Sequence, residues 1–222
     1  MTNREYLEFK DRKKDITQIF KAWFLGDHSE LNLKAIKDFY KKENRTWIDT
    51  PELAGWKHIK PRIDFFKDKL EKYNSKVILD VGSNSGGVAN ALSNKDRFFD
   101  CVDISEAACQ LGKETFPHLN FICMDFDDYN TTKKYDTILF GDILEHHQDI
   151  QFAIRKAKTL LTDEGVILIT IPTFESLTAD LSAGGHISAL TKKEWTDLGG
   201  KTTFYSNGEF DWFFVELKNN NE

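Results

Sequence analysis

Two acids in this sequence end apolar runs at positions where carboxylates could bind the hydroxyl groups of a nucleoside. Asp80 ends the run VILD and precedes Gly82 and Gly86, and Asp103 ends FFDCVD 23 positions after Asp80. A strand, a glycine-containing turn, a helix and a second strand that ends in an acid are typical of cofactor sites beyond the carboxyl ends of parallel strands. This spacing predicts a nucleoside-cofactor site and leaves the cofactor open.

Three histidines follow later strand-like runs. His146 and His147 come just after YDTILFGD, and His186 lies in the long connection TFESLTADLSAGGHISAL. Imidazole can take up a proton near neutral pH, so His146 and His186 are predicted to act as the catalytic base or as a substrate anchor. The open alternative is that the Glu-His pair only packs against or caps the following helix.

The elements that must position these side chains alternate from Lys76 onward. Apolar runs predict strands, helical patterns separate them, and short connections make the βαβ units right-handed. We predict strands at 76–81, 98–102, 119–123, 135–140 and 165–171, and helices near 85–92, 105–115, 149–161 and 191–198. Asn207-Gly208 lies between the last two alternating runs and predicts a hairpin. The predicted fold is α/β, a doubly wound and mostly parallel seven-stranded sheet closed by an antiparallel C-terminal hairpin.

The first third of the chain has helical patterns. The apolar stripes that predict three helices lie at residues 6–24, 29–40 and 59–73, and Ser29 is the predicted N-cap of the second helix. The stretch RTWIDTPELAGWKHIKP is rich in turn residues and is predicted as a loop. We therefore expect a helical N-terminal extension or lid at residues 1–58 and a cofactor-binding domain at residues 59–218.

The composition is that of an ordinary globular protein, with 40% hydrophobic and 30% charged residues. The longest apolar run, residues 166–171, is far too short to span a bilayer, and the opening MTNREYLEFK lacks the apolar core of a signal peptide. Cys101, Cys109 and Cys123 have no metal-ligand spacing and are predicted to be reduced thiols. We expect a cytoplasmic protein with no membrane partner.

The net charge of −6 is unevenly divided along the chain. Residues 1–74 carry 17 Lys and Arg against 13 Asp and Glu, whereas the remainder carries 13 against 23. The basic segment could face an anionic sugar, a phosphate or RNA, or could form the solvated faces of amphipathic helices. Charge alone selects no partner.

The glycine loop distinguishes between nucleoside cofactors. A dinucleotide needs G-x-G-x-x-G, because the middle glycine lets the backbone approach the pyrophosphate. When Gly82 and Gly87 are aligned with the outer glycines, Asn84 takes the middle position, and its side chain would obstruct that contact. The loop therefore disfavours a nicotinamide or flavin dinucleotide and favours a cofactor without phosphates.

The pattern D-x-G-x-x-x-G formed by Asp80, Gly82 and Gly86 resembles the first motif of class I S-adenosylmethionine-dependent methyltransferases. Four further segments follow in that family's order, namely VDIS, MDFDD, FGDILEHHQD and LTDEGVILITIP. The resemblance covers about residues 60–216 and includes the terminal hairpin. It implies a methyltransferase whose cofactor is S-adenosylmethionine.

The resemblance also implies where that cofactor lies. The loop around Gly82 would lie under its methionine part, Asp103 would accept hydrogen bonds from the ribose hydroxyls, and Asp125 would face the adenine amino group. The implied cofactor-binding set is Asp80, Gly82, Ser83, Asn84, Ser85, Gly86, Asp103, Ile104, Asp125, Phe126, Gly141 and Asp142. For Asp80 an alternative is a carboxylate that only stabilises the turn.

A metal site is a further alternative. Asp142, Glu145 and His146 have a D-x-x-E-H spacing that resembles a divalent-metal site in some small-RNA and quinone methyltransferases, and His186 could supply a fourth ligand. The same letters are frequent in methyltransferases as plain substrate-side residues. We therefore predict no metal.

The function that these residues favour is O-methylation of a small molecule or a glycan building block. The methyl donor is already activated, so the enzyme must align the acceptor and remove its proton. The first alternative is an RNA methyltransferase of the tRNA type, suggested by two tryptophans near Lys57, His58 and Arg62. The second alternative is a non-catalytic S-adenosylmethionine-binding partner subunit.

Overall fold

The structure is a computed structural model that describes residues 18–19, 23, 28–42, 56–173, 186–209 and 211–219. Its helices are α1 (Glu30–Lys42), α2 (Trp56–Lys72), α3 (Gly87–Leu92), α4 (Glu106–Thr115), α5 (Ile150–Leu160) and α6 (Lys192–Asp197). Its strands are β1 (Val77–Val81), β2 (Phe98–Asp103), β3 (Asn120–Cys123), β4 (Tyr135–Gly141), β5 (Leu161–Pro172), β6 (Lys201–Ser206) and β7 (Asp211–Lys218). Two 3₁₀ turns, Phe126–Asp128 and Leu144–His146, follow β3 and β4.

The strands form one seven-stranded sheet in the order β3-β2-β1-β4-β5-β7-β6. The first five strands run parallel, and β7 pairs antiparallel with both β5 and β6. This confirms the predicted fold class. Because the chain order reverses between β1 and β4, the loops after these strands diverge and leave a crevice at the carboxyl edge of the sheet.

Alternating side chains of the strands pack against helices on both faces of the sheet. On one face α2 and α3 cover Ile78 and Leu168. On the other face α5 covers Leu79 and Ile169. Burial on both faces is typical of parallel strands and explains why β1 and the second half of β5 are almost continuously apolar.

The N-terminal part of the described chain differs from the prediction at one point. The helix α2 begins at Trp56 and continues through Pro61, so the predicted loop was wrong in its last six residues, and the expected domain boundary at residue 58 falls inside α2. Ser29 caps α1 as predicted, since its hydroxyl accepts a hydrogen bond from the amide of Asn32. Most of the predicted helix at 6–24 and the loop residues 45–55 lie outside the described residues.

The C-terminal hairpin is confirmed, although four residues, 207–210, separate the paired Ser206 and Asp211. The strand β5 begins at Leu161, four residues before the predicted start. Among the helices that the structure describes, none has both the length and the apolar character needed to cross a membrane.

Candidate active site

The loop after β1 is shaped by residues with left-handed backbone conformation. Gly82, Asn84 and Gly86 have φ angles of 70°, 49° and 84°. A Cβ atom on Gly82 would lie 2.3 Å from Cγ1 of Ile143, and one on Gly86 would lie 2.5 Å from Cζ of Phe121. Both positions therefore need glycine for packing as well as for the turn.

Asp103 lies at the carboxyl end of β2 and is fixed by backbone amides. Its Oδ2 accepts a hydrogen bond from the amide of Asn84 at 2.7 Å, and its Oδ1 accepts one from Ser105 at 2.8 Å. Burial raises the pKa of Asp103, although the hydrogen bonds from Ser105, Asn84 and Ile104 oppose that rise. A carboxylate has about four acceptor positions, so the side chain is fixed in place and can still accept a hydrogen bond from a ligand.

Asp80 and Arg62 are a buried acceptor and donor with unused hydrogen-bonding capacity. Oδ2 of Asp80 and Nε of Arg62 have no hydrogen-bond partner within the described part of the chain. Burial and the nearby charge of Asp103 raise the pKa of Asp80 to about 7, and the charge of Arg62 works against this rise. Buried polar atoms normally have partners, so this pair of atoms indicates a missing polar ligand.

The remaining residues of the predicted cofactor-binding set are either buried or half-buried. Ser83 and Ser85 are buried in the loop, and Ile104 is half-buried at the start of the next turn. Phe126 is buried in the core, with its ring centroid 5.7 Å from that of Phe140. Oδ1 of Asp125 accepts a hydrogen bond from the amide of Asp127 and so starts the 3₁₀ turn.

The helix α1 is fixed to this adenine-side region by charge. Nζ of Lys37 lies 2.7 Å from Oδ2 of Asp125 and 2.9 Å from Oδ2 of Asp127. Asp127 also pairs with Nε2 of His147 at 2.8 Å. Burial alone would raise the pKa of Asp127, but the hydrogen bonds and charges of His147 and Lys37 hold it well below its usual value. His147 thus belongs to this ionic cluster, away from His146.

Asp142, directly after Gly141 at the end of β4, has a strained backbone and a fully engaged side chain. Its φ angle is 52°, a conformation that is costly for a residue with a Cβ and is enriched at functional sites. Its Oδ1 accepts a hydrogen bond from Thr170 at 2.8 Å, while its Oδ2 accepts one from Trp212 at 3.2 Å and pairs with Arg62 at 3.1 Å. These contacts hold the carboxylate in one orientation.

The predicted histidines are brought together beside a buried glutamate. The ring centroids of His146 and His186 lie 5.1 Å apart, and the carboxylate of Glu145 and the two imidazoles offer ligand atoms within 4.8 Å of one another. The carbonyl of Glu145 accepts the amides of Ile187 and Ser188 at 2.8 and 3.1 Å, which draws His186 to this position. Nδ1 of His146 is hydrogen-bonded to the hydroxyl of Tyr40 at 2.8 Å.

Residues 79–167 match the family model of a methyltransferase domain. The plantazolicin methyltransferase BpumL in complex with SAH is similar in structure, with a TM-score of 0.62 and 16% identity over 95% of this chain and 99% of that one. Magnesium protoporphyrin IX methyltransferase from Synechocystis PCC 6803 has a TM-score of 0.62 and 16% identity over 83% of this chain and 95% of its own. At such identities these structures show the fold.

The fold is that of the class I S-adenosylmethionine-dependent methyltransferases, and the matched segment is a methyltransferase domain. Sequence relatives of this chain include (S)-tetrahydroprotoberberine N-methyltransferase of Eschscholzia californica, 22% identical over 59% of this chain and 37% of the relative. They also include a ubiquinone biosynthesis O-methyltransferase of Hydrogenovibrio crunogenus, 23% identical over 66% of this chain and 63% of the relative. The chain spans only 29% to 41% of the length of the first three curated relatives.

S-adenosylmethionine is the cofactor of this family, and the residues of the methyltransferase site fit it. The amino-acid end of the cofactor carries an ammonium and a carboxylate. These match an acceptor on Asp80 and a donor on Arg62 that have no partner among the described residues. The ribose hydroxyls are donors that suit the carboxylate of Asp103 at the end of β2. No pyrophosphate has to approach the loop at Asn84, whose left-handed backbone supplies the turn that a glycine would otherwise make.

Sequence reasoning missed several side chains that build this methyltransferase site. The sequence analysis names Arg62 only as a basic residue near the two tryptophans, and it assigns no role to Lys37, Tyr40 or Trp212. Each of them reaches the site from an element that is distant in the sequence, so no local spacing signals its contact. The sequence does place two acids, Asp125 and Asp127, two positions apart. Such closely spaced carboxylates repel each other unless a cation such as Lys37 lies between them.

Proposed function

We propose that this methyltransferase transfers the methyl group of S-adenosylmethionine to a hydroxyl oxygen of a small molecule or glycan building block. The observation that carries the proposal is the pair of imidazoles from His146 and His186, held next to the carboxylate of Glu145 just after β4. A hydroxyl acceptor must lose its proton during transfer, and imidazole is the side chain suited to take it near neutral pH.

Cofactor binding in this proposal uses the carboxyl ends of β1, β2 and β3. Asp103 would hold the ribose hydroxyls, Asp125 would accept the adenine amino group, and Asp80 with Arg62 would hold the amino-acid end. Lys37 already pairs with Asp125 and places α1 over this region. The helical extension at residues 1–58 is accordingly proposed to act as a lid, and the domain at 59–218 to supply the cofactor site.

The acceptor side positions a base through a hydrogen bond to Tyr40. When Nδ1 of His146 donates its proton to the oxygen of Tyr40, Nε2 presents a lone pair to the acceptor hydroxyl. Bound S-adenosylmethionine supplies an activated methyl group. The hydrogen bond between His146 and Tyr40 and the position of His186 would then determine which acceptor oxygen can be aligned with it.

The relatives and neighbours support a small-molecule acceptor. The names of ubiquinone biosynthesis O-methyltransferase and magnesium protoporphyrin IX methyltransferase describe small-molecule substrates. N-methyltransferases are also among the relatives, so the acceptor atom has to be tested directly. An RNA acceptor is second choice, because residues 75–222 carry 13 basic against 23 acidic side chains and phosphate binding depends on Lys and Arg.

The test is methyl transfer from labelled S-adenosylmethionine to matched acceptor pools. Phenols and sugars, their amine analogues, and tRNA would be incubated with the full chain, and products identified by mass spectrometry. We expect methyl incorporation into the hydroxyl pool and its loss in His146→Ala, with His118→Ala as a control from an exposed turn. Incorporation into amines or tRNA would contradict the O-methylation proposal, and calorimetric binding without transfer to any pool would support the partner-subunit alternative.

A further inference from the structure

We propose that a cavity beside the acceptor side of the site binds a neutral sugar ring of the acceptor. The cavity measures about 450 Å³ and lies between the start of α5, residues 188–190 and the rings of Trp23 and His28. Sites for small molecules typically measure about 300–1,000 Å³. Sugar binding does not depend on the proposed function, whereas the role of that sugar as part of the acceptor rests on it.

The cavity adjoins the two histidines of the acceptor side. Gln148 in its wall lies two residues after His146, and Ser188 lies two residues after His186, so the Cα atoms of each pair are at most about 7 Å apart. The hydroxyl of Ser188 donates to the carbonyl of His147 and so holds its segment against the turn after β4. A sugar in the cavity could therefore be linked directly to the unit whose hydroxyl is methylated.

One wall of the cavity is aromatic and apolar. The ring centroids of Trp23 and His28 lie 4.7 Å apart, with 33° between the ring planes. Trp23 belongs to the same buried cluster as Ile187 and is therefore fixed, whereas His28 is exposed. Ile150 and Leu190 add further apolar surface to the lining. A sugar ring carries C–H groups on its faces, and these can pack against such a wall.

The other part of the lining supplies neutral hydrogen-bonding groups. Nε2 of Gln148 donates to Oδ2 of Asp127 at 3.1 Å, whereas its Oε1 is buried and has no hydrogen-bond partner among the described residues. The amide of Gln151 and the hydroxyl of Ser188 also line the cavity. A sugar hydroxyl both donates and accepts, so it could supply the donor that the Gln148 amide lacks and pair with the other two groups.

The charges around the cavity favour a neutral ligand over an anion. None of the described residues that line it is a lysine or an arginine, and its one acid is Asp149. The carboxylate of Asp149 accepts a hydrogen bond from the amide of Phe152 and so caps α5. A phosphate or carboxylate would find no cation to pair with, and a purely apolar ring would leave the amides unused. A hydroxyl-bearing ring without charge matches both parts of the lining.

The test is binding of the methyl glycosides of common neutral hexoses to the full chain, measured by calorimetry and ligand-observed NMR beside phenol and inorganic phosphate. We expect at least one hexoside to bind. Its affinity should fall about 10-fold or more in Ala189→Trp, which fills the cavity, and about 3- to 10-fold in Gln148→Met, which removes one neutral hydrogen-bonding group. The matched controls Ala91→Trp and Gln110→Met change exposed residues of α3 and α4 and should leave it unchanged.

Three results would overturn the inference: no binding of any hexoside, hexoside binding that survives both cavity variants, or tighter binding of phenol or phosphate than of every hexoside. Circular dichroism of each variant shows whether it is folded, and Gln151→Ala serves if Ala189→Trp does not fold. Methyl transfer to phenols without sugar binding would contradict this inference and leave the proposed O-methylation standing. Sugar binding that the cavity variants abolish, without methyl transfer to any hydroxyl, would contradict the proposed function alone.

Discussion

The two halves of the site crevice are built in different ways. On the cofactor side, Asp103 is held by backbone amides of the turns next to it, so a continuous strand-turn-helix segment supplies the geometry. On the acceptor side, His146 contacts Tyr40 from α1, and Asp142 contacts Arg62 from α2 and Trp212 from β7. The ribose part of the cofactor side is therefore local in sequence, whereas the acceptor side and the contacts of Arg62 depend on tertiary packing.

This difference explains why members of one fold can share a cofactor and differ in acceptor. A substitution in a distant helix changes the acceptor side without touching the loop after β1. It also sets different expectations for mutations. Changes on the cofactor side should alter S-adenosylmethionine affinity, and changes on the acceptor side should alter turnover.

The largest expected effect separates the two sides most clearly. His146→Ala should lower kcat by about 100-fold or more, because a positioned base contributes roughly 100- to 10,000-fold. Its affinity for S-adenosylmethionine should stay within about twofold, since His146 lies on the acceptor side. Steady-state kinetics and calorimetry check this, and a loss of cofactor affinity with unchanged kcat would reverse the assignment of the two sides.

Asp103→Asn tests the cofactor side. Replacing a charged acceptor by an amide should weaken S-adenosylmethionine binding by about 10- to 100-fold, because a hydrogen bond to a charged group contributes about 1.5–3 kcal/mol. The exposed Asp96→Asn is the matched control. Calorimetry of both variants gives the comparison, and equal affinities in the two would remove Asp103 from the ribose site.

Asp80 predicts a pH dependence of cofactor binding. Its pKa is about 7 in the fold, so below pH 7 it is increasingly protonated and unable to pair with the ammonium of the cofactor. Affinity should fall by up to about 10-fold per pH unit below 7 and level off above it. In Asp80→Asn the fall in affinity below pH 7 should disappear. A pH profile like that of the unaltered protein would show that Asp80 does not bind the ammonium of the cofactor.

The raised pKa of Asp80 also affects the stability of the ligand-free protein. Stability should fall as the pH rises, whereas cofactor affinity should increase. Because the folded pKa of Asp80 lies above its unfolded value of 3.8, the folded state binds the extra proton. The ligand-free protein should therefore lose stability as the pH rises from about 4 to 7. Thermal unfolding should show a larger gain in Tm for Asp80→Asn at pH 8 than at pH 5, and an equal gain at both pH values would contradict the shift.

Tyr40→Phe should have the smallest effect. Removing the hydroxyl leaves the ring in place but frees Nδ1 of His146, so kcat should fall by about 3- to 10-fold, the value of one neutral hydrogen bond. Cofactor affinity should be unchanged. An effect as large as that of His146→Ala would mean that Tyr40 itself contacts the acceptor.

The sequence predicts the local parts of this molecule well and the tertiary parts poorly. The apolar alternation located all seven strands, and the acids at the ends of β1 and β2 do lie at one edge of the sheet. The start of α2 was misplaced because Pro51, Gly55 and Pro61 resemble turn residues, whereas Pro61 is tolerated within the helix. The contacts of Lys37, Tyr40 and Arg62 depend on how helices dock, which no spacing along the chain encodes.

The most direct test of the central claim is a crystal structure with S-adenosylhomocysteine bound. The account predicts ribose hydroxyls on the carboxylate of Asp103, the amino-acid end between Asp80 and Arg62, and the sulfur facing His146 and His186. A ligand whose sulfur points away from the two histidines, or whose ribose is held elsewhere, would contradict it.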